Sequence, residues 1–117
     1  MVDWPIFSLE EANARLPAVI AATDEAMAAL KEIERVWGQT AFRAYDFHRG
    51  ALREDLVCAD WARAVAALGA QPKGYFVVDF QSPEPDVVFC WAHGETRVEH
   101  QHATWESFVD RRLIADD

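Results

Sequence analysis

The sequence has few cysteines, few basic residues and no long apolar run, and each shortage excludes a class of protein. Its two cysteines, Cys58 and Cys90, are too few for the disulfide framework of a small secreted scaffold and favour reduced thiols in a cytoplasmic protein. Only 11 Lys and Arg stand against 20 Asp and Glu, a formal net charge of -9 that disfavours binding to nucleic acid or to an anionic membrane. No apolar run approaches the about 20 residues of a membrane helix, and residues 1–5 lack the basic and apolar regions of a signal peptide.

The motifs of several common enzyme classes are also missing. The five glycines are scattered, so no glycine-rich phosphate loop is formed, and no Gly-x-Ser-x-Gly nucleophile elbow occurs. Neither His-Glu-x-x-His nor a paired Cys-x-x-Cys is present, so the chain has no strong metal-binding motif. These absences favour a non-enzymatic binding or interaction module.

The residues that are present predict one folded domain over residues 1–117. Hydrophobic residues make up 51% of the sequence, which is enough to form a core. A chain of 117 residues is too short for two independent cores. Helical patterns occupy residues 8–70 and strand patterns with a C-terminal arm occupy residues 74–117. This order predicts an α+β fold in which an antiparallel hairpin of long helices precedes a small three-stranded antiparallel β-meander.

The first helix has a clear start signal. Ser8 and Glu11 form a capping box, which predicts a short helix over 9–15. Pro17 is expected to break or kink this helix and to begin a second one over 17–37. The second helix carries side chains at alternating spacings of three and four, as in a helix–helix seam: Leu16, Val19, Thr23, Ala26, Leu30, Ile33 and Trp37.

The remaining elements follow from composition. Residues 39–50 are interpreted as a structured, partly helical connection, and residues 51–68 as a helix with a broad apolar face and a second, weaker apolar patch. β-Branched and aromatic residues predict strands over 75–80, 87–92 and 97–103. For residues 104–117 a short helix and an extended arm are both open.

The apolar surface exceeds what a small core requires. The helical seam, the second apolar patch and the five tryptophans predict protein–protein contact, with a homodimer as the expected partner. Our first hypothesis is therefore a non-enzymatic cytoplasmic domain that acts through such contact.

Both ends of the chain resemble one bacterial family. The opening Phe7-Ser8-Leu9-Glu10-Glu11-Ala12-Asn13 is similar to the start of the domain of unknown function 2203 family. The later segments Val77-Val78-Asp79-Phe80, Cys90-Trp91, Gly94-Glu95, His102 and Arg111-Arg112 resemble its C-terminal signature in order and spacing. The chain departs from that signature at Gln101, Ser107 and Asp110, where the family pattern has Trp, Gly and Gly. The resemblance implies a helix-rich fold with a small sheet and implies no activity.

Reactive side chains concentrate in the C-terminal third. Imidazole, thiolate and carboxylate are the ligand set of Zn²⁺ and other divalent first-row metals, and Cys90, His100 and His102 are the candidate metal ligands. The competing interpretation is that the histidines are hydrogen-bonded residues of a partly solvated sheet and that Cys90 is a small core residue.

Sheet register decides between these interpretations. With an even number of loop residues after the second strand, the histidines share a face with Phe89 and Trp91. With an odd number, Cys90 stands opposite His100 and a Cys-His-His cluster forms. The commonness of two-residue turns favours the aromatic neighbourhood.

A second candidate site would bind a small anion. Arg111 and Arg112 could clamp a carboxylate or phosphate, with His102 beside them as acid or base. The alternative is a surface ion pair with neighbouring acidic residues. Asp79 is either a buried carboxylate that requires an Arg or His partner or an exposed residue near a turn.

Overall fold

The chain folds into two long helices followed by a five-stranded antiparallel sheet. The computed structural model describes residues 3–37, 44–74 and 76–115, without the side chains of residue 37 and residues 44–52. The α+β class is confirmed, but the sheet has five strands where three were predicted. The elements are α1 (Leu9–Trp37), α2 (Ala44–Ala67), β1 (Gln71–Gly74), β2 (Val77–Gln81), β3 (Val87–Ala92), β4 (His100–Ala103) and β5 (Arg112–Leu113). The strands are neighbours in chain order, and a 3₁₀ helix (Phe108–Asp110) precedes β5.

The predicted start of α1 is confirmed. The Glu11 N–H donates to Ser8 Oγ at 3.0 Å, and the Ser8 N–H donates to Glu11 Oε1 at 2.9 Å. These reciprocal bonds satisfy two backbone donors that the first turn leaves unpaired.

Neither helix in the described ranges is both long and apolar enough to cross a bilayer.

Pro17 lies inside α1, and the predicted break at this residue is wrong. Proline lacks a backbone N–H, so the carbonyl one turn earlier, at Asn13, loses its helical donor. Pro17 is exposed, whereas Leu16 and Val19 beside it are buried in the core. Packing of these two side chains keeps the helix continuous, and a carbonyl near an exposed position can accept a hydrogen bond from water.

Several predicted boundaries are corrected. α2 begins at Ala44 rather than residue 51, and residues 39–43 of the predicted connection lie outside the described residues, as does Tyr75 of the first predicted strand. Strands β1 and β5, which contain four and two residues, are additional to the three predicted strands. Residues 104–115 contain both a short helix and an extended segment, the two alternatives left open for this part of the chain, because a 3₁₀ turn leads into β5.

One face of the sheet packs on the helix pair, α1 and α2. Val78, Phe80 and Trp91 alternate along β2 and β3 and are at most 1% exposed. They join Leu16, Val19 and Val65 of the helices in a single core cluster. Two edge-to-face ring pairs extend this cluster, Phe7 on Phe80 at 5.3 Å and Trp61 on Phe76 at 4.9 Å between centroids. We call this the inner face of the sheet.

A buried polar chain joins the two helices. Trp61 Nε1 on α2 donates to Thr23 Oγ1 on α1 at 2.9 Å, and the same hydroxyl donates to the Val19 carbonyl at 2.8 Å. Thr23 is fully buried, so each polar atom here depends on a protein partner. Thr23, a polar residue in the predicted apolar seam, is therefore the hydrogen-bond acceptor of the Trp61 indole N–H on the facing helix.

Asn13 ties α1 to the loop between β3 and β4. Its side-chain Oδ1 accepts the Val98 N–H at 2.8 Å, and its Nδ2 donates to the Val98 carbonyl at 3.1 Å. The amide therefore pairs with Val98 as a neighbouring strand would. This fixes the position of the loop that leads into β4.

Replacement of Thr23 by Val is expected to lower the free energy of unfolding by about 1–3 kcal/mol, because the buried Trp61 N–H then lacks its acceptor. Denaturant unfolding measures this change. The double variant Thr23→Val with Trp61→Phe is the control, since it removes both partners and should lose less than the sum of the two single variants. Additive losses would contradict the importance of the bond.

Candidate functional site

The face of the sheet that points away from the helices carries polar residues in register. Asp79 on β2 pairs with Cys90 on β3, and Cys90 pairs with His100 on β4. Because side chains alternate along a strand, these residues and His102 share one face, which we call the outer face. The prediction that the histidines share a face with Phe89 and Trp91 is wrong. Nine residues, 91–99, separate the paired Cys90 and His100, and this odd number places the histidines on the face of Cys90.

Three side chains of the outer face converge into a compact trio. One ligand atom each of Asp79, Cys90 and His102 lie within 4.8 Å of one another. The residues are 3%, 0% and 4% exposed. They come from three adjacent strands, so His102 reaches over β3 towards β2, and the small Cys90 side chain on β3 leaves room for that contact. We call this group the Asp79–Cys90–His102 trio.

The hydrogen bonds of His102 define its tautomer. Nδ1 lies 2.7 Å from the Ala103 carbonyl oxygen, and a carbonyl can only accept, so Nδ1 carries a proton. The other ring nitrogen, Nε2, lies 3.3 Å from Asp79 Oδ1. In a neutral imidazole Nε2 carries a lone pair, which repels the lone pairs of a facing carboxylate oxygen. This contact therefore requires either a proton between the two groups, on Nε2 or on the Asp79 carboxyl, or a metal ion.

Burial shapes the protonation of the other two members. Desolvation raises the pKa of Asp79, and the charge and hydrogen bonds of His102 and Cys90 oppose this rise. Desolvation and the neighbouring Asp79 carboxylate raise the pKa of the Cys90 thiol to about 12. Without a metal the sulfur is thus a neutral thiol with no exposed surface, which does not suit a nucleophile. The trio is suited to holding a cation.

Glu95 and Arg111 border the trio. Arg111 donates to both carboxylate oxygens of Glu95, at 2.9 and 2.8 Å, and its positive charge opposes the rise in the pKa of the Cys90 thiol. Glu95 Oε1 accepts the Ala92 N–H at 2.8 Å, so the carboxylate is fixed to the end of β3. Burial alone would raise the pKa of Glu95, but these hydrogen bonds and the Arg111 charge lower it below the usual value.

The other predicted site residues lie around the trio rather than in it. His100 is on the outer face, and its buried Nδ1 is 3.3 Å from Glu95 Oε2 without the geometry of a hydrogen bond. Arg112 binds Glu106 at 3.1 Å, whereas Arg111 binds Glu95. The two adjacent guanidiniums therefore engage different carboxylates and do not form a common clamp beside His102.

Comparison with known proteins identifies the family. A family model described as "Uncharacterized conserved protein (DUF2203)" matches residues 5–114, nearly the whole chain. The chain belongs to this family. No curated protein and no solved structure matches the DUF2203 chain. The C-terminal residues on which the resemblance was based include Asp79, Cys90, Glu95, His102 and Arg111, and the fold brings these five together at the outer face.

Sequence reasoning missed two members of this site. Neither Asp79 nor Glu95 was among the predicted ligands, although a buried Asp79 with an Arg or His partner was one of the two alternatives left open for that residue. The sequence does contain a signal for Asp79, because it is a single charge between Val78 and Phe80 in an otherwise apolar strand. A carboxylate in such a place is buried only with a partner, and the DUF2203 chain supplies His102.

The two thiols are expected to differ in reactivity. At neutral pH a maleimide should modify half-buried Cys58 within minutes and leave Cys90 unmodified, because Cys90 is enclosed and its pKa is raised to about 12. Mass spectrometry after timed labelling measures this, with urea-unfolded protein as the control in which both thiols react. Equal labelling rates in the native protein would refute the enclosed position of Cys90.

Proposed function

We propose that this protein binds a divalent first-row transition metal, zinc foremost, through Asp79, Cys90 and His102. The observation that carries the proposal is the contact between His102 Nε2 and Asp79 Oδ1, 3.3 Å apart with the Cys90 sulfur beside them. Nitrogen, sulfur and oxygen donors in one buried group match the ligands that zinc takes in proteins. This is a binding function, and we assign no reaction to it.

Charge supports a divalent ion. An Asp79 carboxylate, a Cys90 thiolate and a neutral His102 together carry two negative charges, which one divalent cation neutralises. A buried site without net charge avoids the large free-energy cost of an uncompensated ion in a protein interior. The Arg111–Glu95 pair next to the trio is itself neutral, so it does not disturb this balance.

The surroundings of His102 also support metal binding. Metal-ligating histidines commonly donate their second ring N–H to a backbone carbonyl, and His102 donates Nδ1–H to Ala103. With Nδ1 protonated, the Nε2 lone pair of a neutral His102 faces Asp79 and Cys90. A fourth ligand position remains for water or for His100, which stands opposite Cys90 on the same face. Both cysteines are free thiols, in keeping with a reducing, cytoplasmic location.

Protein purified without a histidine tag is expected to bind one equivalent of Co²⁺ or Zn²⁺. The Co²⁺ form should show a thiolate-to-cobalt charge-transfer band in the near ultraviolet, and excess Zn²⁺ should abolish it. Zinc at about 100 times its Kd should raise the free energy of unfolding by about 2.7 kcal/mol. The apparent affinity should fall as the pH is lowered, because Cys90 and the Asp79–His102 pair must release protons to the solvent.

Matched variants test whether the trio is responsible. Cys90→Ser should lose the charge-transfer band and Cys58→Ser should retain it. Likewise, His102→Gln should lose the zinc stabilisation and His93→Gln, at an exposed turn position, should retain it. Absence of the band from the wild-type protein, or its survival in Cys90→Ser, would overturn the proposal.

Self-association through the helix pair is a second candidate function. α1 contains 29 residues, about 43 Å of helix, whereas the longest strand has six residues, about 20 Å, so the helix is longer than the strands it packs on. Large apolar side chains are exposed on it, Leu56 at 63% and Val36 at 42%. Partly buried Met27 and Leu30 lie nearby in the groove between the helices. These features favour a dimer of helix pairs.

Light scattering at micromolar concentration should give twice the chain mass of 13.2 kDa if this second candidate is right. Leu56→Glu should shift the equilibrium towards the monomer, because it places a charge within the apolar contact. Leu113→Glu is the control, since Leu113 is similarly exposed on β5, away from the helix pair. A wild-type monomer across this concentration range would exclude self-association.

A further inference from the structure

His100, beside the trio, has a polar atom that the fold leaves unsatisfied. Its side chain is 20% exposed, yet its Nδ1 is buried and has no hydrogen-bond partner among the described residues. This nitrogen lies 3.3 Å from Glu95 Oε2 without the alignment of a hydrogen bond. A buried polar atom without a partner is costly, and an ion bound nearby is one of the arrangements that account for it.

Glu95 has one acceptor position left for this nitrogen. Each carboxylate oxygen can accept two hydrogen bonds. Glu95 Oε1 accepts from the Ala92 N–H at 2.8 Å and from Arg111 at 2.9 Å, so both of its positions are taken. Within the described part of the chain, Oε2 accepts from Arg111 alone, at 2.8 Å. The second position of Oε2 can therefore accept the Nδ1–H of His100 once the two groups are aligned.

A proton on Nδ1 makes Nε2 the free lone pair of a neutral His100. Metal-ligating histidines commonly donate one ring N–H to a carboxylate and bind the ion through the other ring nitrogen. Glu95 is held in the place of such a carboxylate, by Arg111 on one side and by the backbone of β3 on the other.

The register of the sheet brings His100 within reach of the trio. His100 stands directly opposite Cys90, and both side chains project from the outer face. The Cβ atoms of opposite residues lie about 4.5–5.5 Å apart. This separation allows a sulfur and a ring nitrogen to bind one zinc ion, at about 2.3 and 2.0 Å.

We infer that His100 Nε2 is the fourth ligand of the metal ion and that Glu95 orients the His100 ring. The inference rests on the proposed function, since it adds one ligand to the trio. His100 is not among the ligand atoms within 4.8 Å of one another, so its ring turns towards Cys90 when the ion binds. Its Nδ1 then donates to Glu95 Oε2, which satisfies the unpartnered atom. Glu95 is a positioning residue, because it acts through His100 and touches no metal.

A fourth protein ligand makes the site closed. Structural zinc sites have four protein ligands in a tetrahedron, whereas catalytic sites keep one position open for water or substrate. A neutral imidazole adds no charge, so the charge balance of the trio with a divalent ion is unchanged. We therefore expect the ion to stabilise the fold without activating a water molecule.

Wild-type protein saturated with Co²⁺ distinguishes a closed site from an open one. Four-coordinate Co²⁺ should give intense d–d absorption in the red, and added azide should leave the spectrum unchanged because it has no water to displace. His100→Ala should make the spectrum respond to azide and should weaken Co²⁺ binding at least about tenfold. His93→Ala, at an exposed turn position, is the control and should keep the wild-type affinity and spectrum.

The role of Glu95 is tested in two backgrounds. Glu95→Gln should weaken Co²⁺ binding about 10- to 100-fold when His100 is present, the usual effect of losing a group that supports a metal ligand. In His100→Ala the same change should alter the affinity by less than about twofold, because the residue through which it acts is gone. Glu99→Gln, an exposed carboxylate in the same connection, is the control. Equal weakening in both backgrounds would refute the positioning role.

The outcomes separate this inference from the proposed function. An azide response in the wild-type protein, or an unchanged affinity in His100→Ala, would overturn the inference and leave the trio as an open site with three protein ligands. The azide measurement needs no variant, so it decides the question even if His100→Ala does not fold. A wild-type protein without the thiolate-to-cobalt band would instead overturn the proposed function.

Discussion

The pairing of β3 with β4 is the constraint on which the site depends. With Cys90 opposite His100, the polar residues share the outer face and the aromatic residues share the inner face. A slip of β4 by one residue against β3 would turn His102 towards the core and Gln101 to the outer face. Burial of the aromatic side chains of β2 and β3 determines which face of those strands carries Asp79 and Cys90, and the register of β4 determines whether His102 joins them.

Bonds in the connection between β3 and β4 stabilise this register. Gly94 adopts φ +101°, a conformation that other residues rarely reach, and so permits the reversal after β3. Glu95 then binds back to the Ala92 N–H, and Asn13 fixes Val98 from α1. The loop is thus held at its beginning by β3 and at its end by α1, and β4 enters the sheet in a defined register.

Local features were predictable from the sequence, and long-range ones were not. The Ser8–Glu11 capping box and the two central strands are encoded within a few residues, so the helix start and the α+β class were predicted correctly. Pro17 was misread, because burial of Leu16 and Val19 outweighs the local preference of proline. The register depended on the length of a nine-residue connection held by Asn13, a partner far away in sequence. Likewise Cys90, His100 and His102 were predicted as candidate ligands, but the approach of Cys90 and His102 to Asp79 required that register.

The trio is built entirely from consecutive strands, within residues 79–102. Contacts between near neighbours in sequence close only short loops, so their conformational entropy cost is small and they form early in folding. Arg111 lies outside this segment, so the contacts among Asp79, Cys90 and His102 do not depend on closing the longer loop to the C-terminal arm.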